Sequence, residues 1–96
     1  MKLVSVKPAT NGKNKYTATF MKDNGSLKRT NFGAKGMDDY TLKGDKEQRA
    51  AYRQRHGKDL TTKDPTRAGY LAYYLLWGDS TSLRVNIADY KKRFNL

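Results

Sequence analysis

The chain has 96 residues, with twenty Lys and Arg against nine Asp and Glu, a formal charge of +11 and no cysteine. That length allows one domain with a modest core, and without cysteine neither a disulfide framework nor a thiolate metal site can form. The charge exceeds the magnitude of about 2–8 that keeps a small domain soluble, and it favours an acidic partner: nucleic acid, an anionic membrane surface or the acidic face of another protein.

The basic excess is uneven. Residues 1–36 hold eight Lys and Arg against one Asp, and the remaining sixty hold twelve against eight. The opening "MKLVSVKPAT" has too short an apolar run for a signal peptide. Residues 1–33 are expected to form a three-stranded antiparallel meander. "KLVSV" is β-branched and apolar, and "KYTATFMK" alternates, with Tyr16, Ala18 and Phe20 on one face and Thr17, Thr19 and Met21 on the other. Asn24-Gly25 predicts a type I′ hairpin turn into "SLKRTNF", and Asn11-Gly12 marks the turn before it. The outward face of this sheet is expected to carry Lys7, Lys15, Lys22, Lys28 and Arg29.

Residues 34–44 read as a glycine-rich connector anchored by Met37 and Tyr40. Its spacing matches no phosphate-cradling motif. Residues 45–96 then read as three helices. In "DKEQRAAYRQRHG", Asp45 is the N-cap with Gln48 in the capping-box position, and Gly57 is the expected terminator. Only Ala50, Ala51 and Tyr52 are apolar there, while Lys46, Arg49, Arg53 and His56 share or adjoin one face. The second helix is expected to be capped by Asp64, with Pro65 in its first turn, and to end at Gly78. Between Tyr70 and Trp77 it carries no charge and is apolar all round. This run is too short to cross a bilayer, which needs about twenty residues, so it is assigned to the core. The third helix is capped by Ser80 or Ser82. Leu83, Ile87, Tyr90 and Phe94 form its apolar stripe, with Arg84, Lys91, Lys92 and Arg93 off it. The expected fold class is therefore α+β: one domain over residues 1–96, with a meander followed by three helices, the middle one buried.

Catalytic constellations are thin. The single histidine, His56, has no cysteine partner, and a metal site would need three or four suitable ligands. Asp38 and Asp39 are the only adjacent carboxylates and are expected to cap a turn and pair with nearby cations. Neither catalytic, cofactor nor metal residues are assigned, and no small-molecule substrate is expected. This non-catalytic expectation has a condition. An open cleft lined by Tyr70–Trp77 beside His56 and the Asp38–Asp39 pair would overturn it. The basic contact candidates are Lys7, Lys15, Lys22, Lys28, Arg29, Arg49, Arg53, Lys91, Lys92 and Arg93, acting by electrostatics without base readout.

The pieces "FGAKGMDDYT", "YRQRHGKDL", "DPTRAGYL", "LLWG" and "SLRVNIADYKKRF" resemble a family of small basic proteins of unknown function from large nucleocytoplasmic DNA viruses of algae and protists. The resemblance covers about residues 31–96 and is less specific in the N-terminal sheet. The chain departs from the pattern at Arg67, where the turn is expected to hold small residues. No catalytic residue carries over. The resemblance implies a viral protein located in the virion. The expected function is a non-enzymatic minor capsid or virion component that binds acidic surfaces of neighbouring proteins, through an interface of roughly 800 Å² per partner. The alternative is a sequence-independent DNA- or RNA-binding protein that aids genome packaging.

Overall fold

The computed structural model describes all 96 residues. Strands β1 (Lys2–Pro8), β2 (Asn14–Met21) and β3 (Leu27–Ala34) form an antiparallel meander in the order β1–β2–β3. Ala18 faces Val6 on one side and Thr30 on the other, and Tyr16 pairs with Phe32. This register puts Tyr16, Ala18 and Phe20 on the helix-facing side, as their alternation predicts. The β2–β3 turn differs in type from the expectation. A type I′ turn needs positive φ at two residues, and here only Gly25 has it, at φ 86°. The Gly25 N–H closes onto the Lys22 carbonyl at 2.9 Å, which is a type I turn with a left-handed glycine after it.

The connector is more ordered than its glycines suggest. Asp39 N-caps a single turn, α1 (Tyr40–Lys43), accepting from the Thr41 N–H at 2.8 Å. Upstream, Gly33 has φ 76°, and a Cβ built there would lie 2.8 Å from Leu76 Cδ1. The backbone at the end of β3 thus comes within contact of the helical layer because position 33 carries no side chain.

Helix α2 (Lys46–His56) starts as expected, with Asp45 accepting from the Glu47 and Gln48 N–H groups. It ends with Gly57 as its C-cap, as expected, but Gly57 is right-handed at φ −57° and does not turn the chain away. The chain runs on as a 3₁₀ segment, Gly57–Thr62, and turns at Lys63 with φ 53°. Two side-chain contacts hold this extension: within it, His56 Nδ1 lies 3.0 Å from Asp59 Oδ2, and from α3 the Tyr70 hydroxyl donates to the Leu60 carbonyl at 2.7 Å.

Asp64 and Pro65 do not open the next helix either. Asp64 accepts from both the N–H and the hydroxyl of Thr66, at 2.9 and 2.6 Å, and closes an Asx turn. Thr66 is buried, and its carbonyl accepts from the Thr30 hydroxyl at 2.7 Å. That bond ties the turn to β3 and delays the helix. Helix α3 (Ala68–Leu71) begins after Arg67, which makes no side-chain cap bond. It continues as a π-helical turn, Ala72–Leu76, in which the Trp77 N–H donates to the Ala72 carbonyl at 3.1 Å. Helix α4 (Leu83–Phe94) is capped by Ser82, one of the two expected serines.

The core is the helix-facing side of the sheet packed on the α3–π segment and α4. Phe20, Phe32, Leu71, Leu75 and Tyr90 lie at its centre. No helix is long and apolar enough to cross a membrane. Tyr90 is buried and its hydroxyl donates to the Pro65 carbonyl at 2.5 Å. Burial, then the neighbouring Tyr70, pushes its phenol well above the ordinary value. Burial likewise pushes the half-buried Tyr52 up to about 12, with Asp59 adding to the shift. A raised phenol pKa favours the folded state fully below the unfolded value near 10, and that contribution is lost as pH climbs towards the folded value. Stability should therefore fall between about pH 10 and 12 with a slope of at most about 1.4 kcal/mol per pH unit per phenol. Urea titrations at pH 8, 10 and 11 measure it, and Tyr52→Phe should flatten the slope.

Candidate functional site

The ten basic candidates fall into two groups. Lys7 and Arg29 are exposed and sit opposite Thr17 and Thr19, on the sheet face turned away from the helices. Lys22 is exposed at the β2–β3 turn, and Lys91 and Lys92 are exposed in the last turn of α4. These five remain open to a partner.

The others make contacts within the molecule, Arg93 while remaining exposed. Lys15 is not on the outer face. Its side chain is 12 % exposed, and its ammonium lies 2.5 Å from the buried Asp39 carboxylate. Lys28 falls in register with Phe20 on the inner side, where its ammonium donates to the Thr66 hydroxyl at 2.8 Å. Arg49 and Arg53 act on the end of the π turn. A helix that terminates in a widened turn leaves carbonyls without intrahelical donors. Arg49 Nε donates to the Gly78 carbonyl at 2.6 Å, and Arg53 to the Trp77 carbonyl at 2.9 Å. Asn86 Nδ2 donates to the Leu75 carbonyl at 2.9 Å. Arg53 also lies 4.3 Å over the Tyr73 ring, and Arg93 5.0 Å over that of Tyr74. Asn86 is not among the residues expected from the sequence. An asparagine one position before the apolar Ile87, on a helix whose neighbour ends at Gly78, was its only signal.

The Tyr70–Trp77 segment divides in a way that periodicity did not foresee. Tyr70, Leu71 and Leu75 are enclosed in the core. Ala72, Leu76 and Trp77 border a cleft of about 610 Å³. One wall is the α2 face made by Gln48, Tyr52, Arg55 and His56; the other is the chain from Gly33 to Asp39, with Lys15. The cleft that conditions the non-catalytic expectation is thus present in part, with one stripe of the segment beside His56, Asp38 and Asp39.

Its chemistry is mostly self-satisfied. Asp39 is held by Lys15, by the Thr41 N–H and by the Thr41 hydroxyl. His56 and Asp59 form a dyad that leaves Nε2 as the second ring nitrogen. A histidine–carboxylate dyad can act as a general base toward a hydroxyl or water, and among the residues bordering the cleft only Tyr52 carries a hydroxyl. Tyr52 stacks on His56 at 4.2 Å and on Trp77 at 4.5 Å, with interplanar angles of 22° and 11°. Two rings cannot occupy one face at these distances, so Tyr52 is sandwiched. The aromatic column braces the cleft wall, and its free ring surface is the second face of His56, whose side chain is 38 % exposed.

Fold and site together define a small basic α+β domain with a side cleft and a largely unneutralised cationic surface. Residues 4–56 match the model of a family of unknown function (DUF5754). The match covers the sheet, the connector and α2, more than half of the chain, and the protein belongs to this family. The sheet, where the sequence resemblance was less specific, lies inside that match. No curated protein and no solved structure matches the chain.

Proposed function

We propose that the chain is a non-enzymatic structural component of a large DNA virus particle, a minor capsid or virion protein that docks acidic surfaces of its neighbours. One observation carries the docking part. Only four of the twenty Lys and Arg side chains, Lys15, Arg49, Arg53 and Arg67, lie within 4.0 Å of a carboxylate. The remaining cations have no internal counter-charge. Among them, Lys7 and Arg29 lie on the outer sheet face, and Lys22, Lys91 and Lys92 lie exposed at the β2–β3 turn and in the last turn of α4. Charge spread over two faces suits a component that touches several neighbours, whose contacts reinforce one another through effective concentration. The viral setting rests on the motif resemblance over residues 31–96.

The test is fractionation of purified particles, followed by mass spectrometry of the stripped shell and the nucleoprotein core. The protein is expected with the shell. Recovery with the core would shift the assignment to genome packaging, as would DNA binding that weakens by about 10³–10⁵ between 50 and 200 mM salt. Absence from particles would sink both.

A further inference from the structure

We propose that the outer face of the sheet docks an acidic protein surface that carries an apolar side chain at its centre. This deepens the acidic-surface reading above and rests on it.

Register builds the face. Lys2, Met21 and Leu27 lie side by side across the three strands. Arg29, opposite Thr19, follows in the next row, and Lys7, opposite Thr17, in the one after. Directly opposed residues point to the same side of a sheet. That side is the outer one, because the alternate residues Ala18 and Phe20 are buried against the helices. Lys2, Lys7, Met21, Leu27 and Arg29 are all exposed.

Charge selects the sign of the partner. None of the three strands contains an Asp or Glu. At the Met21 end the surface meets Lys22, Asp23 and the terminal Leu96. The Asp23 carboxylate lies 2.5 Å from the Met1 ammonium. Lys2, Lys7, Lys22 and Arg29 have no carboxylate within 4.0 Å. A second copy of the chain would set these cations against their own kind, so the complementary surface is acidic.

The apolar pair selects protein. Met21 and Leu27 are 41 % and 46 % exposed and adjacent across β2 and β3. Lys2 flanks them on β1, Lys22 follows Met21 into the turn, and Arg29 stands two residues beyond Leu27. An apolar centre inside a charged rim is the anatomy of a protein interface. A phosphate backbone has nothing apolar to set against that centre. Single-stranded nucleic acid would need rings to stack on, and the aromatic residues of the sheet, Tyr16, Phe20 and Phe32, all pack into the core side. Insertion into an anionic membrane calls for a larger apolar face than two side chains supply.

The probes are a polymer of glutamate and a copolymer of glutamate with leucine, titrated at low salt and followed by backbone amide shifts. The copolymer is expected to bind on the order of tenfold tighter, from the additional apolar area buried, with shifts centred on Lys2, Met21, Leu27 and Arg29. Met21→Thr with Leu27→Thr, exposed positions that keep a strand-forming residue, should abolish the preference and leave the weaker binding. Lys7→Glu with Arg29→Glu should weaken both polymers. Lys91→Glu with Lys92→Glu, on α4, should leave the preference unchanged. Equal binding of the two polymers, or shifts confined to α4, overturns the sheet face and leaves acidic docking standing. No binding of either polymer removes both. Displacement of the copolymer from this face by duplex DNA or by phosphatidylserine vesicles assigns it to a phosphate-bearing partner and overturns the protein proposal.

Discussion

Asp39→Asn is expected to destabilise the domain by about 3–5 kcal/mol, the cost of leaving a buried charge without its partner. The Asp39 carboxylate is 2 % exposed and the Lys15 side chain 12 % exposed, with 2.5 Å between ammonium and carboxylate. Asparagine keeps an oxygen for the Thr41 N–H, so the cap on α1 survives and the loss isolates the ion pair. Lys15→Met alone strands the carboxylate instead. The double variant Lys15→Met with Asp39→Asn should be more stable than the sum of the single losses implies, because no unpaired charge remains. Urea unfolding of the four proteins at neutral pH measures the cycle. A single-variant cost below about 1 kcal/mol would mean that the lysine stem swings its ammonium into water, and that the pair behaves as a surface bridge.

That pair also shows how far the sequence could be read. The meander was legible because period-two alternation in "KYTATFMK" leaves one arrangement that buries Tyr16, Ala18 and Phe20 together. The Asp45 and Ser82 caps were legible because their bonds are local, within three residues. The assignment of Lys15 to the outer face failed for a non-local reason, whereas Lys28 and Arg29 are adjacent in β3 and cannot share a face, and Phe32 at i+4 marks Lys28 as the inward one. Lys15 meets Asp39 twenty-four residues away, and a lysine in a strand carries no mark of a partner that distant. Thr66 also moved the start of α3, since its bond to Thr30 is tertiary. Tertiary contact overrode the Asp-Pro helix-start signal there.

The same distance effect governs the candidate site. Arg49 and Arg53 read as a basic helix face, which is the ordinary meaning of arginines at i and i+4. Their actual targets are the Trp77 and Gly78 carbonyls, just past the π turn that follows Leu71. Nothing in "AYYLLWG" announces a π turn, so neither the employment of the two arginines nor the cleft beside them was visible. What remained legible was the electrostatic residue: Lys7, Lys22, Arg29, Lys91 and Lys92 are exposed, as their positions in a turn, an outer strand face and a helix end suggest.

Trp77→Ala is expected to cost about 3–5 kcal/mol, a large part of the roughly 5–15 kcal/mol that holds a small domain folded. The ring is 6 % exposed and stacks on Tyr52 at 4.5 Å. The loss should not be uniform. Helix α2 has no fully buried residue, and Ala50 and Ala51, expected to help bury it, are exposed. Its attachment rests on Tyr52 against Trp77 and on Arg49 and Arg53, which reach the carbonyls of Gly78 and Trp77, the Asp79 carboxylate and the rings of Tyr40 and Tyr73. Removing the indole cuts the first and loosens the frame of the second. Amide exchange in α2 should accelerate more than in β2, whose two ladders do not involve Trp77. Trp77→Phe retains a ring against Tyr52 and should recover most of the stability. A fully stable Trp77→Ala protein with unchanged exchange in α2 would show that the indole serves a partner rather than the fold, because a ring enclosed in this way cannot be removed without cost.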